Sequence, residues 1–131
     1  MRHGQRGVPK PEDLRKRIHR MHILIVGYSS IVARRALPAL LRLPKIKAVD
    51  LASRRPFDNV SLPDAWTGQT YDDYGRAIAD SHADLVYVSL VNSLHEAWVE
   101  ASLLAGKHVI VDKPAFLSLH AAERLLEMAA Q

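Results

Sequence analysis

His22-Ile23-Leu24-Ile25-Val26-Gly27-Tyr28-Ser29-Ser30 decides the fold. Five residues, four of them aliphatic, run without alternation and stop at a glycine. A strand covered on both faces reads this way, because neither side of its pleat meets water. After it, Ile31 to Leu43 has helical period, with Ile31, Leu37, Leu40 and Leu41 apolar and Arg34, Arg35 and Arg42 polar. Pro38 within that segment is expected to bend it or limit its first turns, and Pro44 helps to end it. A strand, a tight glycine turn and a helix make the opening unit of a parallel α/β sheet.

Further along, the same alternation recurs. Ile46 to Ala52 reads as a second strand and Gln69 to Tyr71 as a short third, with the irregular stretch 56–68 between them. Asp72 or Asp73 is placed to cap a helix running to about Asp80. Asp84 to Leu90 predicts a strong fourth strand. Ser93 and Glu96 have the spacing of a capping box, so a helix is expected from Ser93 to Ala105, terminated by Gly106. His108 to Val111 is the next strand. Pro114 follows it, and Ser118 is a candidate cap for a last helix through Ala130. Right-handed crossovers then give a Rossmann-type doubly wound sheet, five parallel strands in the order 3-2-1-4-5, with helices on both faces. The chain of 131 residues is one domain's worth, residues 21–131, behind an extension at 1–20.

Charge separates those two parts. The formal net charge of +4 arises in residues 1–20, where seven Lys/Arg stand against Glu12 and Asp13. Residues 21–131 carry eleven Lys/Arg against twelve Asp/Glu, so the folded part has no basic nucleic-acid footprint. The extension, punctuated by Gly4, Gly7, Pro9 and Pro11, is expected to be a solvated, mostly disordered arm. The other reading is a contact for an anionic partner, with nucleic acid the least favoured. Cysteine is absent, which excludes a disulfide scaffold and thiol catalysis and points to a reducing, cytoplasmic setting. No apolar run approaches the ~18 residues of a membrane span.

In such a sheet ligands bind beyond the carboxyl ends of the strands, where strand order reverses, between strands one and four. The loops Gly27-Tyr28-Ser29-Ser30 and Val91-Asn92-Ser93, flanked by the candidate binding residues Ile31 and Leu90, and Lys113-Pro114 after strand five therefore converge on one edge. The first loop is a poor G-x-G-x-x-G: Gly27 fits, but Ser29 and Val32 occupy the second and third glycine positions. A helix N-terminus with two serine hydroxyls still suits an anion. Otherwise Ser29 or Ser30 merely caps the helix. Strand two ends Ala52-Ser53-Arg54-Arg55, with no carboxylate for ribose hydroxyls. Ser53 with Arg54 and Arg55 suits a 2′-phosphate, which favours NADP over NAD. Asp50, two residues earlier, is expected to lie further from the loop. Asn92 and His95 begin the fourth crossover, as ligands or as parts of a capped first turn. Lys113 is a candidate donor or general acid, and otherwise a solvated lysine.

These blocks together resemble the N-terminal dinucleotide-binding domain of the Gfo/Idh/MocA oxidoreductases. The likeness rests on Ile23-Leu24-Ile25-Val26-Gly27, Arg34-Arg35-Ala36-Leu37-Pro38-Ala39-Leu40, Tyr71-Asp72-Asp73-Tyr74 and Asn92-Ser93-Leu94-His95. Above all it rests on Ala105-Gly106-Lys107-His108-Val109-Ile110-Val111-Asp112-Lys113-Pro114. The resemblance implies hydride transfer at a sugar-like alcohol or carbonyl. It implies that Lys113 is catalytic and lies near the nicotinamide, and that Asn92 and His95 line the nicotinamide side. It also accounts for the tolerance of Pro38. Asp112 replaces the usual glutamate, and Val91 stands where a proline is common. Family members continue into a substrate domain that has no counterpart in these 131 residues. Three readings stand: another chain completes the site, as a second copy or a separate substrate-domain subunit; the protein is a non-catalytic nucleotide-binding or accessory subunit; or these residues are a fragment or an incomplete gene product. The apolar edge Val109-Ile110-Val111 favours self-association or a partner chain.

Overall fold

The computed structural model describes residues 21–54, 62, 66–112 and 119–130. Its sheet has five parallel strands in the order β3-β2-β1-β4-β5: β1 Met21–Val26, β2 Ile46–Ala52, β3 Thr70–Tyr71, β4 Leu85–Val88 and β5 His108–Val111. Order and direction are as the sequence predicts. Three helical segments join strands and a fourth follows β5: α1, a π-helical turn Val32–Ala36 continued by Leu37–Leu41; α2, Tyr74–Asp80; α3, Asn92–Leu104; and, after β5, α4, Leu119–Ala130. Among these residues no helix is long and apolar enough to cross a membrane.

The unbroken apolar run of β1 is explained by two cores. Leu24 and Val26 face a cluster with Tyr74, Ala77, Ile78, Val86, Val88, Val99 and Leu125. Ile23 and Ile25 face the opposite cluster with Val32, Leu37, Val49 and Leu51. Each aliphatic side chain buried here contributes about 1.5–3 kcal/mol, which is what holds helices on both faces.

Asp50 interrupts that pattern. It is 2% exposed and its carboxylate accepts three hydrogen bonds, from His22 Nε2 at 2.8 Å, Ser81 Oγ at 2.8 Å and the Gln69 amide at 3.0 Å. Its partners lie on β1, on the turn after α2 and just before β3. The carboxylate is thus a structural junction, set back from the end of β2 as expected.

Three local readings are refined. Pro38 does not simply bend α1. Its ring would meet the carbonyl of the residue four before it, and the preceding π turn, in which Leu37 N–H reaches Val32 O, relieves that conflict. The capping box at Ser93 and Glu96 is not formed. The N-cap of α3 is Val91, in extended conformation and with no side-chain cap, and the helix begins at Asn92. Glu96 instead accepts from Arg124 at 2.7 Å, and Arg124 also donates to Glu100 at 3.1 Å, tying α3 to α4. β4 is shorter than Asp84–Leu90, because Ser89 and Leu90 turn down toward the Gly27 loop. The Asp73 cap is as expected, its side chain accepting from Arg76 N–H at 2.9 Å.

Lys107 has a clear structural duty. Its ammonium donates to the carbonyls of Ser81 and Ala83, at 3.0 and 2.8 Å. The first half of the Ala105–Pro114 block is therefore partly a fastening of the turn after α2. Gly106, at φ +77°, terminates α3 as predicted.

Candidate functional site

At the carboxyl ends of β1, β2 and β4 lies a crevice of about 440 Å³. That size falls within the range of small-molecule sites. The structure brings eight of the sequence-predicted residues to it: Gly27, Tyr28, Ser29, Ser30, Ile31, Ser53, Arg54 and Leu90. Val91, from the turn expected at this edge, lines it as well, and so do Tyr74, Ser89 and Asp112, which the sequence reading did not place there. Asn92 is exposed at the start of α3 and is not part of the lining. His95 is fully buried, with Nε2 donating to Leu90 O at 2.8 Å, so it braces the crevice rim from beneath. Arg55 and Lys113 fall outside the described residues.

Gly27 makes the crevice. It sits at φ +99°, and a Cβ there would come within 2.2 Å of Ser89 O. Only glycine lets β1 end this close to β4. Its N–H donates to Ala52 O at 2.8 Å, which holds the Ser53–Arg54 end of β2 beside it.

The chemistry of the donor set can be followed proton by proton. Asp112, as a carboxylate, only accepts. It takes the Tyr87 hydroxyl at 2.6 Å and the Ser89 hydroxyl at 2.6 Å. The single proton of Ser89 is thereby used, so Ser29 must donate in the 2.9 Å contact between Ser29 Oγ and Ser89 Oγ. Ser29 Oγ in turn accepts from Val32 N–H at 3.2 Å. One directional chain thus runs from the first helical turn to the end of β5. It corrects the expectation that two serine hydroxyls are on offer to an anion: the proton of Ser29 is committed to the protein. What faces an anion here is backbone at the start of α1, the Ser30 side chain and Arg54, with Ser53 in the lining beside them. Burial, together with the hydrogen bond to Asp112, pushes the Tyr87 phenol up to about 12. Burial raises that of Tyr28 too. Both remain neutral near pH 7.

Arg54 is the cation of the crevice. Its guanidinium carbon lies 4.8 Å from the centroid of the Tyr74 ring. Tyr74 is itself packed edge-to-face against Trp98, with centroids 5.4 Å apart and planes at 82°. No carboxylate of the described residues forms an ion pair with Arg54. A glycine turn, a helix start, hydroxyls and a fixed guanidinium are a donor set suited to phosphates rather than to a metal ion. The residues present therefore fit a phosphorylated dinucleotide, despite the imperfect glycine pattern.

Known proteins agree with this arrangement. A dTDP-3,4-didehydro-2,6-dideoxy-alpha-D-glucose 3-reductase of Actinomadura kijaniata is 35% identical over 107 residues, which is 82% of this chain and 32% of that protein. An enzyme of the same description from Streptomyces antibioticus is 32% identical over 110 residues, 84% of this chain and 34% of its own length. The crystal structure of KijD10, a 3-ketoreductase from Actinomadura kijaniata in complex with TDP-benzene and NADP in an open conformation, superposes with a TM-score of 0.76. There the identity is 34%, covering 84% of this chain and 35% of that one. The chain thus spans about a third of the length of the relatives it matches. The model of the Gfo/Idh/MocA oxidoreductases, described as an oxidoreductase family with an NAD-binding Rossmann fold, matches residues 21–131, and with the sheet order and the glycine-turned crevice already in place, the chain belongs to that family.

Proposed function

We propose that this chain is the coenzyme-binding part of an NADP-dependent oxidoreductase that interconverts a carbonyl and an alcohol on a sugar-like substrate. The observation that carries the reading is the meeting of the Gly27–Ile31 loop, Ser53 and Arg54 around one crevice whose one lining carboxylate among the described residues, Asp112, is taken up by Tyr87 and Ser89. Ser53 and Arg54 hold the 2′-phosphate, and the start of α1 faces the pyrophosphate. NAD is the weaker ligand, because its ribose hydroxyls meet a cation there instead of an acid. When bound, the nicotinamide supplies or accepts the hydride. Lys113, which follows Asp112 in the chain, gives a proton to the substrate oxygen in the reducing direction and takes it back in the other. The liganded relative, in complex with TDP-benzene and NADP, supports both the coenzyme and a nucleotide-linked sugar as substrate class. Cytoplasmic residence belongs to the same proposal.

NADPH and NADH titrated against the chain, followed by nicotinamide fluorescence, test it. NADPH is expected to bind more tightly. Arg54→Ala is expected to weaken NADPH by about ten- to a hundredfold, the worth of charge-assisted hydrogen bonds, and to leave NADH nearly unchanged. No binding of either coenzyme, or tighter binding of NADH, overturns the reading.

The sheet edge at β5 is completed by a further protein surface, either another copy of this chain or a substrate domain. Among the described residues β5 is paired on one side only. Ile110 on it is 53% exposed. Beside it is an apolar groove of about 550 Å³ lined by Val99, Leu103, Val109, Val111, Leu125 and Met128. An uncovered apolar strand edge invites pairing. Light scattering is expected to give a mass above the 14.7 kDa of one chain, or else the chain stays monomeric and binds a hydrophobic dye. A monomer that binds no such dye argues against both forms of completion.

A further inference from the structure

The Tyr71-Asp72-Asp73-Tyr74 block has so far served the fold: Asp73 caps α2, and Tyr74 opens it and is 7% exposed. Yet Tyr74 also lines the crevice, and its ring face carries the Arg54 guanidinium. We propose that Tyr74 is a positioning residue for the coenzyme's 2′-phosphate, fixing Arg54 by stacking and so setting the preference for NADPH over NADH. The inference rests on the function proposed above and deepens it.

The geometry supports this in three steps. First, an exposed arginine has a long, rotamer-rich side chain that must be ordered before it can grip a phosphate. None of the described carboxylates holds Arg54, so the ring beneath it is what orders it. Second, Arg54 Cζ lies over the ring face, 4.8 Å from its centroid, and a guanidinium laid flat on a ring keeps its in-plane donors unspent. Such a contact leaves the fork free for two phosphate oxygens. An ion pair with a carboxylate would consume those same donors. Third, the ring cannot tilt away. Trp98 meets Tyr74 edge-to-face, and α3, which carries Trp98, is anchored to α4 through Arg124. Ser102 Oγ donates to Trp98 O at 2.7 Å within the same helix. The platform is therefore packed from behind by Trp98 while the arginine above it meets solvent.

The platform acts on one coenzyme only. NADH offers a ribose hydroxyl where NADPH offers a dianion, so ordering a guanidinium at that spot strengthens NADPH and does little for NADH. A residue that merely supports the fold would change both together.

Tyr74→Met keeps the bulk and removes the aromatic face, whereas Tyr74→Phe keeps the face and removes the hydroxyl. On the full chain, Tyr74→Met is expected to weaken NADPH by about three- to tenfold and to leave NADH unchanged, so the affinity ratio falls. Tyr74→Phe keeps the parent ratio. In an Arg54→Ala background, Tyr74→Met lowers the ratio no further. Should Tyr74→Met fail to fold, Arg54→Lys carries the test. It keeps the charge and loses the planar face, and a ratio as high as the parent's would overturn the inference. Equal weakening of both coenzymes by Tyr74→Met, or an unaltered ratio, also overturns it. If Arg54→Ala lowers the ratio while Tyr74→Met does not, the coenzyme assignment stands and only the positioning role falls. If the parent chain binds no NADPH, both fall.

Discussion

Gly27→Ala is expected to cost about 3–5 kcal/mol of folding free energy, a large share of the roughly 5–15 kcal/mol available to a domain. Two penalties combine. The residue sits at φ +99°, where a side chain is strained by about 1–2 kcal/mol. The added methyl would also lie 2.2 Å from Ser89 O and 3.0 Å from Ser89 C. Those are backbone atoms in the ladder between β1 and β4, so nothing flexible can swing aside. The ladder must open instead, and small enlargements of a packed interior already cost about 1–3 kcal/mol. Urea denaturation is the measurement, with coenzyme titration on whatever remains folded. The crevice is expected to be lost with the stability, because Gly27 N–H also fixes the end of β2. A variant within 1 kcal/mol of the parent would show that β1 and β4 are not held together at this point.

Asp50→Ala gives the second large effect, and it separates structure from ligand binding. The substitution leaves His22 Nε2, Ser81 Oγ and the Gln69 amide without their common acceptor. Breaking a buried network around one charged member typically costs about 3–5 kcal/mol. Asp50→Asn keeps the shape and one acceptor oxygen, and is expected to fall between the two. In either variant the coenzyme affinity of the folded fraction should be that of the parent, since Asp50 does not line the crevice. An Asp50→Ala protein of normal stability that had lost NADH or NADPH binding would overturn this, and would make Asp50 the ribose acid that the end of β2 otherwise lacks.

The sheet was legible because its signals were redundant. The β1 run, the β-branched β5 and the Asp73 cap each point one way, and parallel connectivity then leaves little freedom in strand order. The Ser93 cap failed for a different reason. A capping box is a local pattern, and Glu96 found a stronger partner in Arg124, 28 residues away in the chain. The π turn in α1 arises from a conflict between Pro38 and the preceding turn, which period counting does not register. Within the crevice, loop position sufficed to place Gly27, Ser53, Arg54 and Leu90. The capping alternative for Ser29 was legible and is met, Val32 N–H donating to its Oγ, but the commitment of its own proton depends on Ser89 and Asp112 and could not be read. His95 resembled a ligand by motif and lies fully buried against Leu90 O, a depth that the motif does not encode. Tyr74 carried a signal, the aromatic block after β3, but nothing in the sequence says which cation its ring supports.

Lys107 shows what that means for recognising proteins by short motifs. It spans 26 residues of chain to reach Ser81 and 24 to reach Ala83, stitching together segments that no strand pairing joins there. The block most useful for telling kin from stranger thus contains a rivet six positions ahead of the lysine proposed as its reagent. A search for chemistry by signature alone returns masonry and tools in the same handful, and only coordinates sort one from the other.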